Sequence, residues 1–164
     1  MAEQMLGSDQ IIEPKGIRGI YSTYTLRWSS SSTNYLSYRC TSIPFGGCWV
    51  YRRCRSWWWG FTVWLGSHKQ FYYAFTSQYC NEPTEEHPII REYYNGQQPV
   101  DCYGGSGDII LWHHRLAHTG PPNTTRRIRK AVLYEFTKKD IEQTQLEPPQ
   151  KDMWWDWSSE FDQL

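Results

Sequence analysis

The sequence predicts a mainly β domain of the jelly-roll or sandwich kind, with short helices. Three observations predict it. Short β-branched and aromatic runs are separated by Gly and Pro turns along residues 60–137. The longest run, Ile128 to Thr137, carries apolar residues on both faces, as a strand inside a sandwich does. The chain is also aromatic-rich: Leu, Ile, Val and Phe supply only 30 of 164 residues, but 10 Trp and 12 Tyr can build a core in their place.

Taken in order, Phe61-Thr-Val-Trp-Leu65 is a strand stopped by Gly66-Ser67. Pro83-Thr-Glu-Glu86 suits a helix start. Pro88 should interrupt that helix and leave a short helix or turn ending at Asn95-Gly96. Pro99 to Tyr103 reads as a strand closed by Gly104-Gly105, and Gly107-Asp108 opens the strand Ile109-Ile-Leu-Trp112. Gly120-Pro-Pro-Asn123 is a loop. In the strand that follows, Ala131, Leu133 and Glu135 share one face, and Val132, Tyr134 and Phe136 the other. Lys138 to Gln145 is polar and helix-compatible, Pro148-Pro149 breaks the chain, and Met153 to Trp157 closes it as an aromatic clamp.

Composition narrows the function classes. Lys and Arg number 17 and Asp and Glu 17, so no overall charge argues for nucleic acid or an anionic membrane. No apolar run approaches the roughly 20 residues of a membrane span. Met1 to Gln10 lacks the basic start and apolar stretch of a signal peptide. Five Cys without a CxxC read as free thiols in a reducing compartment. An intracellular, cytoplasmic location is therefore expected, and the Asn123-Thr-Thr sequon is expected to go unused.

One window departs from the rest. Thr25 to Trp59 runs 35 residues without Asp, Glu, Lys or His. It holds five Arg, five of the ten Trp and three of the five Cys (Cys40, Cys48 and Cys54), and its apolar residues follow neither a helical nor a strand period. It is expected to be irregular.

The chemistry-bearing stretch is Gly107-Asp-Ile-Ile-Leu-Trp-His-His-Arg-Leu-Ala-His118, with Arg129 eleven residues on. A neutral imidazole can ligate Fe(II), and a guanidinium one strand over can grip a carboxylate with two parallel hydrogen bonds. Among the other histidines, His113 and His114 are expected at a polar rim, His68 in a structural role and His87 in solvent. Arg126, Arg127, Arg129 and Lys130 form a basic cluster, most of it expected as a solvated edge.

Gly60-Phe-Thr-Val-Trp-Leu-Gly-Ser-His68, the Gly-Asp strand, His118, Gly-Pro-Pro-Asn123 and Arg129 together resemble the phytanoyl-CoA dioxygenase family. Met5-Leu-Gly7 and Arg18-Gly-Ile-Tyr21 are similar to the segment before that family's first metal-binding motif. The resemblance covers residues 1–24 and 60–145, with Leu65 where the family has Pro. It implies an incomplete double-stranded β-helix over residues 1–145, followed by an aromatic tail over residues 146–164. It also implies an Fe(II)- and 2-oxoglutarate-dependent oxygenase of a small organic substrate, using O2, with ascorbate as activator. By the same resemblance His118 matches the distal iron ligand, and Arg129 matches the residue that pairs with the far carboxylate of 2-oxoglutarate. The proximal His-x-Asp has no counterpart, because no His precedes His68.

The anomalous window accounts for that gap. Trp57-Trp58-Trp59 must be encoded TGG TGG TGG, which one nucleotide later reads Gly-Gly-Gly. The same offset permits His-Thr-Asp at Ser37-Tyr38-Arg39 and Ile-Asp-Asp-Val-Glu-Val at Tyr51 to Ser56. Only the glycines are compelled, but a single offset recovers a metal motif, a strand and a glycine turn in order. We read residues 25–59 as translated out of frame. Two alternatives stand beside an oxygenase. One is a non-catalytic binding module, for single-stranded nucleic acid or protein, built on the Arg and Trp residues of the window. The other is a non-functional fragment of an enzyme gene.

Overall fold

The structure is a computed structural model that describes residues 2–13, 19–23, 45–50, 61–79, 82–104, 108–120, 129–155 and 157. Within these residues the chain is mainly antiparallel β with short helices. The helices are α1 (Ala2–Leu6), α2 (Ser67–Phe71), α3 (His87–Asn95) and α4 (Ile141–Thr144). The strands are β1 (Ile11–Ile12), β2 (Gly19–Thr23), β3 (Phe45–Val50), β4 (Phe61–Val63), β5 (Val100–Cys102), β6 (Asp108–His113), β7 (His118–Thr119) and β8 (Arg129–Lys138).

Two sheets form. In the larger, β8 pairs β1 and β2 as well as β3, and β3 pairs β6 on its far side. In the smaller, β4 lies between β5 and β7. The apolar faces read for Ile128 to Thr137 become β8, which has pairing partners on both sides.

β3 corrects one expectation. The window 25–59 was expected to be irregular, yet Phe45–Val50 is a strand between β6 and β8. Ladder bonds come from the backbone, so two flanking strands accept any extended segment without Pro. The window's other residues lie outside the described ones.

The helix expected to be interrupted at Pro88 is instead continuous from His87 to Asn95, with Pro88 in its first turn. There the missing N–H has no helical partner to lose, and the fixed φ suits the helix. Ile90 and Tyr94, four residues apart, face the core, while Ile89 and Tyr93 are exposed. The core they join contains Trp64, Phe71, Ala74, Phe75 and Ala117, where α2 and α3 meet the end of the smaller sheet.

The turn between β4 and α2 sets that packing. Gly66 has φ +77°, left-handed backbone in which L side chains are strained. Nothing lies within 4 Å of a Cβ built there, so substitution meets conformational strain alone. Gly66→Ala is therefore expected to destabilise by roughly 1–2 kcal/mol, read as a lower urea midpoint at an unchanged slope.

Candidate functional site

The functional stretch is a corner where the larger sheet hands the chain to the smaller. β6 ends at His113, residues 114–117 turn, and His118 opens β7 opposite Val63 of β4. Two backbone bonds fix the corner: Trp64 N–H donates to the Ala117 carbonyl at 3.0 Å, and Ala117 N–H donates to Ser67 Oγ at 2.9 Å. Ser67 and Ala117 are both fully buried, so neither bond competes with water.

Arg115 locks the corner from within. Its side chain is 1% exposed, and one terminal nitrogen donates to the carbonyls of Ser77 and Gln78, each at 2.9 Å. Its guanidinium lies 3.8 Å from the Phe75 ring centre. Planarity and multiple donors make arginine suited to gathering two carbonyls and an aromatic face at once.

The histidines adopt different hydrogen-bond states. His118 Nδ1 lies 2.7 Å from the Leu116 carbonyl. A carbonyl only accepts, so Nδ1 carries the proton, and in the neutral ring the lone pair then lies at Nε2. Its ring packs beside Phe61 and Trp112, with centroids at 5.1 and 5.6 Å. At His113 the assignment reverses: Nδ1 accepts from Arg115 N–H at 3.1 Å, placing the proton on Nε2. His114 Nε2 donates to the Gln78 carbonyl at 3.0 Å.

His113 and His114 were expected at a polar rim, but both are 7% exposed among aromatic rings. Strand alternation puts Trp112 on the opposite face of β6 from His113, so the corner carries His118 and His113 on different sides. His87, expected in solvent, is buried edge-on to Phe71 and Phe75. It lies in the first turn of α3, whose inward face covers the core. His68 keeps its structural place, packed on His113 and Trp154. Burial, chiefly, lowers the pKa of His68 and His87, and that of His113 well below the usual imidazole range.

His118 therefore lies at the head of a smaller-sheet strand. Arg129 opens β8 of the larger sheet, with its backbone opposite Thr23. The side chains of Arg129 and Lys130, and the whole of Arg126 and Arg127, fall outside the described residues. The Ser37–Arg39 and Asn123 positions do too. Among the described residues no three His, Cys, Asp or Glu side chains group closely enough to hold a metal ion. The His118 tautomer fits a ligand, but the described residues assemble no three-point iron site there, so no catalytic step is derived through a metal. No helix among the described residues is long and apolar enough to cross a membrane.

Ser67 lies in the Gly-Ser-His motif, but nothing in the sequence marks its bond to Ala117, and the bonds of Arg115 and His114 to the Gln78 carbonyl carry no periodic or motif signal. These partners are 36 to 50 residues apart.

Comparison with known proteins bears on this corner. Residues 61–131 match the phytanoyl-CoA dioxygenase (PhyH) family. The matched segment runs from the first residue of β4 to the third of β8 and contains Ser67, the corner, His118 and Arg129. Phytanoyl-CoA dioxygenases typically use Fe(II) and 2-oxoglutarate with O2 on small molecules. A sequence comparison with curated proteins gives no match. Among solved structures the chain is similar to EvdMO1, with TM-score 0.49 and 16% identity, covering 73% of this chain and 26% of that one. It is also similar to SnoK, a non-heme alpha-ketoglutarate-dependent carbocyclase from nogalamycin biosynthesis, with TM-score 0.48 and 15% identity, covering 82% of this chain and 58% of that one. The chain thus spans less than two thirds of either.

Two outcomes are expected. Long-range 15N–1H spectra at pH 8 should show His118 as the Nδ1–H tautomer and His113 as the Nε2–H tautomer. Arg115→Leu should destabilise by about 3 kcal/mol or more, since it leaves two buried carbonyls without their charged donor. Denaturant titration measures it.

Proposed function

We propose that the chain is a copy of an Fe(II)/2-oxoglutarate oxygenase domain with the double-stranded β-helix fold, retaining the distal part of the site and lacking the proximal part. One observation carries this reading. Inside the family-matched segment, the Leu116 carbonyl accepts from His118 Nδ1, the tautomer that leaves the ring's lone pair on Nε2. A carbonyl that fixes the far ring nitrogen is the usual support of a metal-binding imidazole.

In a complete site of this kind, Fe(II) and 2-oxoglutarate would supply the electrons that activate O2, the oxidant. The residues of this chain would contribute one imidazole, from His118, and an anion clamp, from Arg129. Phe61 and Trp112 would exclude water from one side of the imidazole. The substrate class is a small organic molecule. The sequence contains no His followed two residues later by Asp or Glu, so a His-x-acid ligand pair cannot come from this reading frame. The family match begins at Phe61, directly after the anomalous window, which supports reading residues 25–59 as out of frame.

The purified chain, given Fe(II), ascorbate and 2-oxoglutarate, is expected to form succinate only at background. Robust turnover would show that other ligands complete the site. The nucleotide sequence across codons 24 to 60 tests the frame directly: a reading that cannot encode His-x-Asp there rejects it.

With the frame restored, 2-oxoglutarate decarboxylation is expected to return. In that protein Arg129→Ala should weaken 2-oxoglutarate binding. A charged hydrogen-bonded pair contributes roughly 1.5–3 kcal/mol, about 10- to 150-fold in affinity. His118→Ala should abolish turnover, since a ligand rather than a clamp is lost. Co-substrate titrations with succinate detection separate the two.

A further inference from the structure

Residues 72–79 are bonded both to the chain after α4 and to the corner that carries His118. Toward the chain after α4, Gln78 N–H donates to the Glu147 carbonyl at 2.8 Å and Tyr79 N–H to the Gln145 carbonyl at 3.3 Å. The Gln78 side chain adds two bonds: Nε2 donates to Glu147 Oε2 at 3.2 Å, and Oε1 accepts from Trp155 Nε1 at 3.1 Å. Tyr72 Oη accepts from Gln150 N–H at 3.2 Å, and Tyr73 Oη donates to the Lys151 carbonyl at 2.7 Å. Toward the corner, the carbonyls of Ser77 and Gln78 accept from Arg115, and that of Gln78 also from His114. The Tyr72 ring meets the His113 ring edge-on, with 6.2 Å between centroids.

We propose that residues 145–155 brace the His118 corner, and that Gln78 is the positioning residue through which lifting them loosens it. One peptide group makes the link. The Ser77 carbonyl and the Gln78 N–H belong to the same planar, trans unit, so they point in opposite directions. Arg115 holds one end and the Glu147 carbonyl holds the other. Turning that plane away from either partner also disturbs the bond to the other.

Burial strengthens the link. Gln78 is 1% exposed and is bonded to residues 145–155 through three of its polar atoms, so that segment supplies part of its cover. Lifting the segment admits water to a peptide whose carbonyls hold a guanidinium that is itself 1% exposed. Bonds that are strong in dry surroundings weaken when water competes for the same carbonyls. The brace lies beyond residues 61–131, where the family match ends. It acts on the corner that the oxygenase reading uses but needs no metal, so a negative result here leaves that reading standing.

Hydrogen exchange of the intact chain, perturbed from both ends, tests the brace. Trp155→Phe removes the indole donor from a side chain that is 44% exposed and keeps an aromatic ring. It should lower protection of the Gln78 and Gln150 amides and, with them, of the Ala117 amide, roughly two- to tenfold, while β8 keeps its own. The Arg115 guanidinium N–H signals and the His118 ring nitrogens should shift in step, which a passive cover would not cause. Gln78→Met keeps the side-chain length, removes both side-chain bonds and should act more strongly. Coupling between sites is reciprocal. Ser67→Ala, which takes the acceptor from Ala117 N–H, should therefore lower Gln150 protection in turn. If Gln78→Met fails to fold, the other two variants decide the question. A loosened 145–155 with Ala117 and Arg115 unmoved, an unchanged Gln150 in Ser67→Ala, or a loss that extends equally to β8 overturns the proposal.

Discussion

The corner from β6 to β7 depends on the backbone of one buried alanine. Ala117 accepts from Trp64 N–H and donates to Ser67 Oγ. Through Trp64 it fixes the end of the smaller sheet's central strand, and through Ser67 the start of α2. Through the chain before it, it fixes the end of β6 in the larger sheet. Ala117 is fully buried in the same core cluster as Trp64, Phe71 and Phe75, so small size is part of the constraint. Two sheets and a helical layer are registered at one residue.

That registration explains why three histidines within six positions behave so differently. Strand alternation sends Trp112 and His113 to opposite sides, and the turn reverses the chain so that His118 rejoins the Trp112 side. One side keeps the His118 imidazole half-buried, its Nδ1 bonded to the Leu116 carbonyl. The other side buries His113 and His114 against Tyr79, Trp154 and the Gln78 carbonyl. Arg115 lies between them in sequence, and one nitrogen of its guanidinium bonds the carbonyls of residues 77 and 78. The same sequence run thus supplies a half-buried imidazole on one side and an aromatic packing surface on the other.

Local pattern made much of this legible and long-range partnering made the rest illegible. The strands at 61–63, 100–102, 108–113 and 129–138 follow from β-branched and aromatic runs between Gly and Pro. His118 and Arg129 stand out through a motif, and the family match covers both. What spacing could not show is that Pro88 starts a helix, since proline's effect depends on whether it falls in the first turn. Nor could it show that His87, beside three acids in sequence, is buried by the amphipathic turn of α3. The segment after α4 was readable only as an aromatic cluster at Met153 to Trp157. Its docking needs Gln78 and Tyr72, whose sequence gives no sign that they bind residues about 70 positions away.

The anomalous window separates what a backbone can do from what side chains must do. β3 completes the larger sheet with six residues, Phe-Gly-Gly-Cys-Trp-Val, from a stretch that contains no acid. Its place between β6 and β8 asks only for extended backbone with free donors and acceptors, which Gly46 and Gly47 provide as readily as any residue. An iron site asks for more: named side chains at fixed positions, with the correct charge. A change of reading frame can preserve the first while erasing the second. A sheet of this kind is therefore compatible with a chain that holds His118 in a ligating tautomer yet encodes no His-x-Asp to join it.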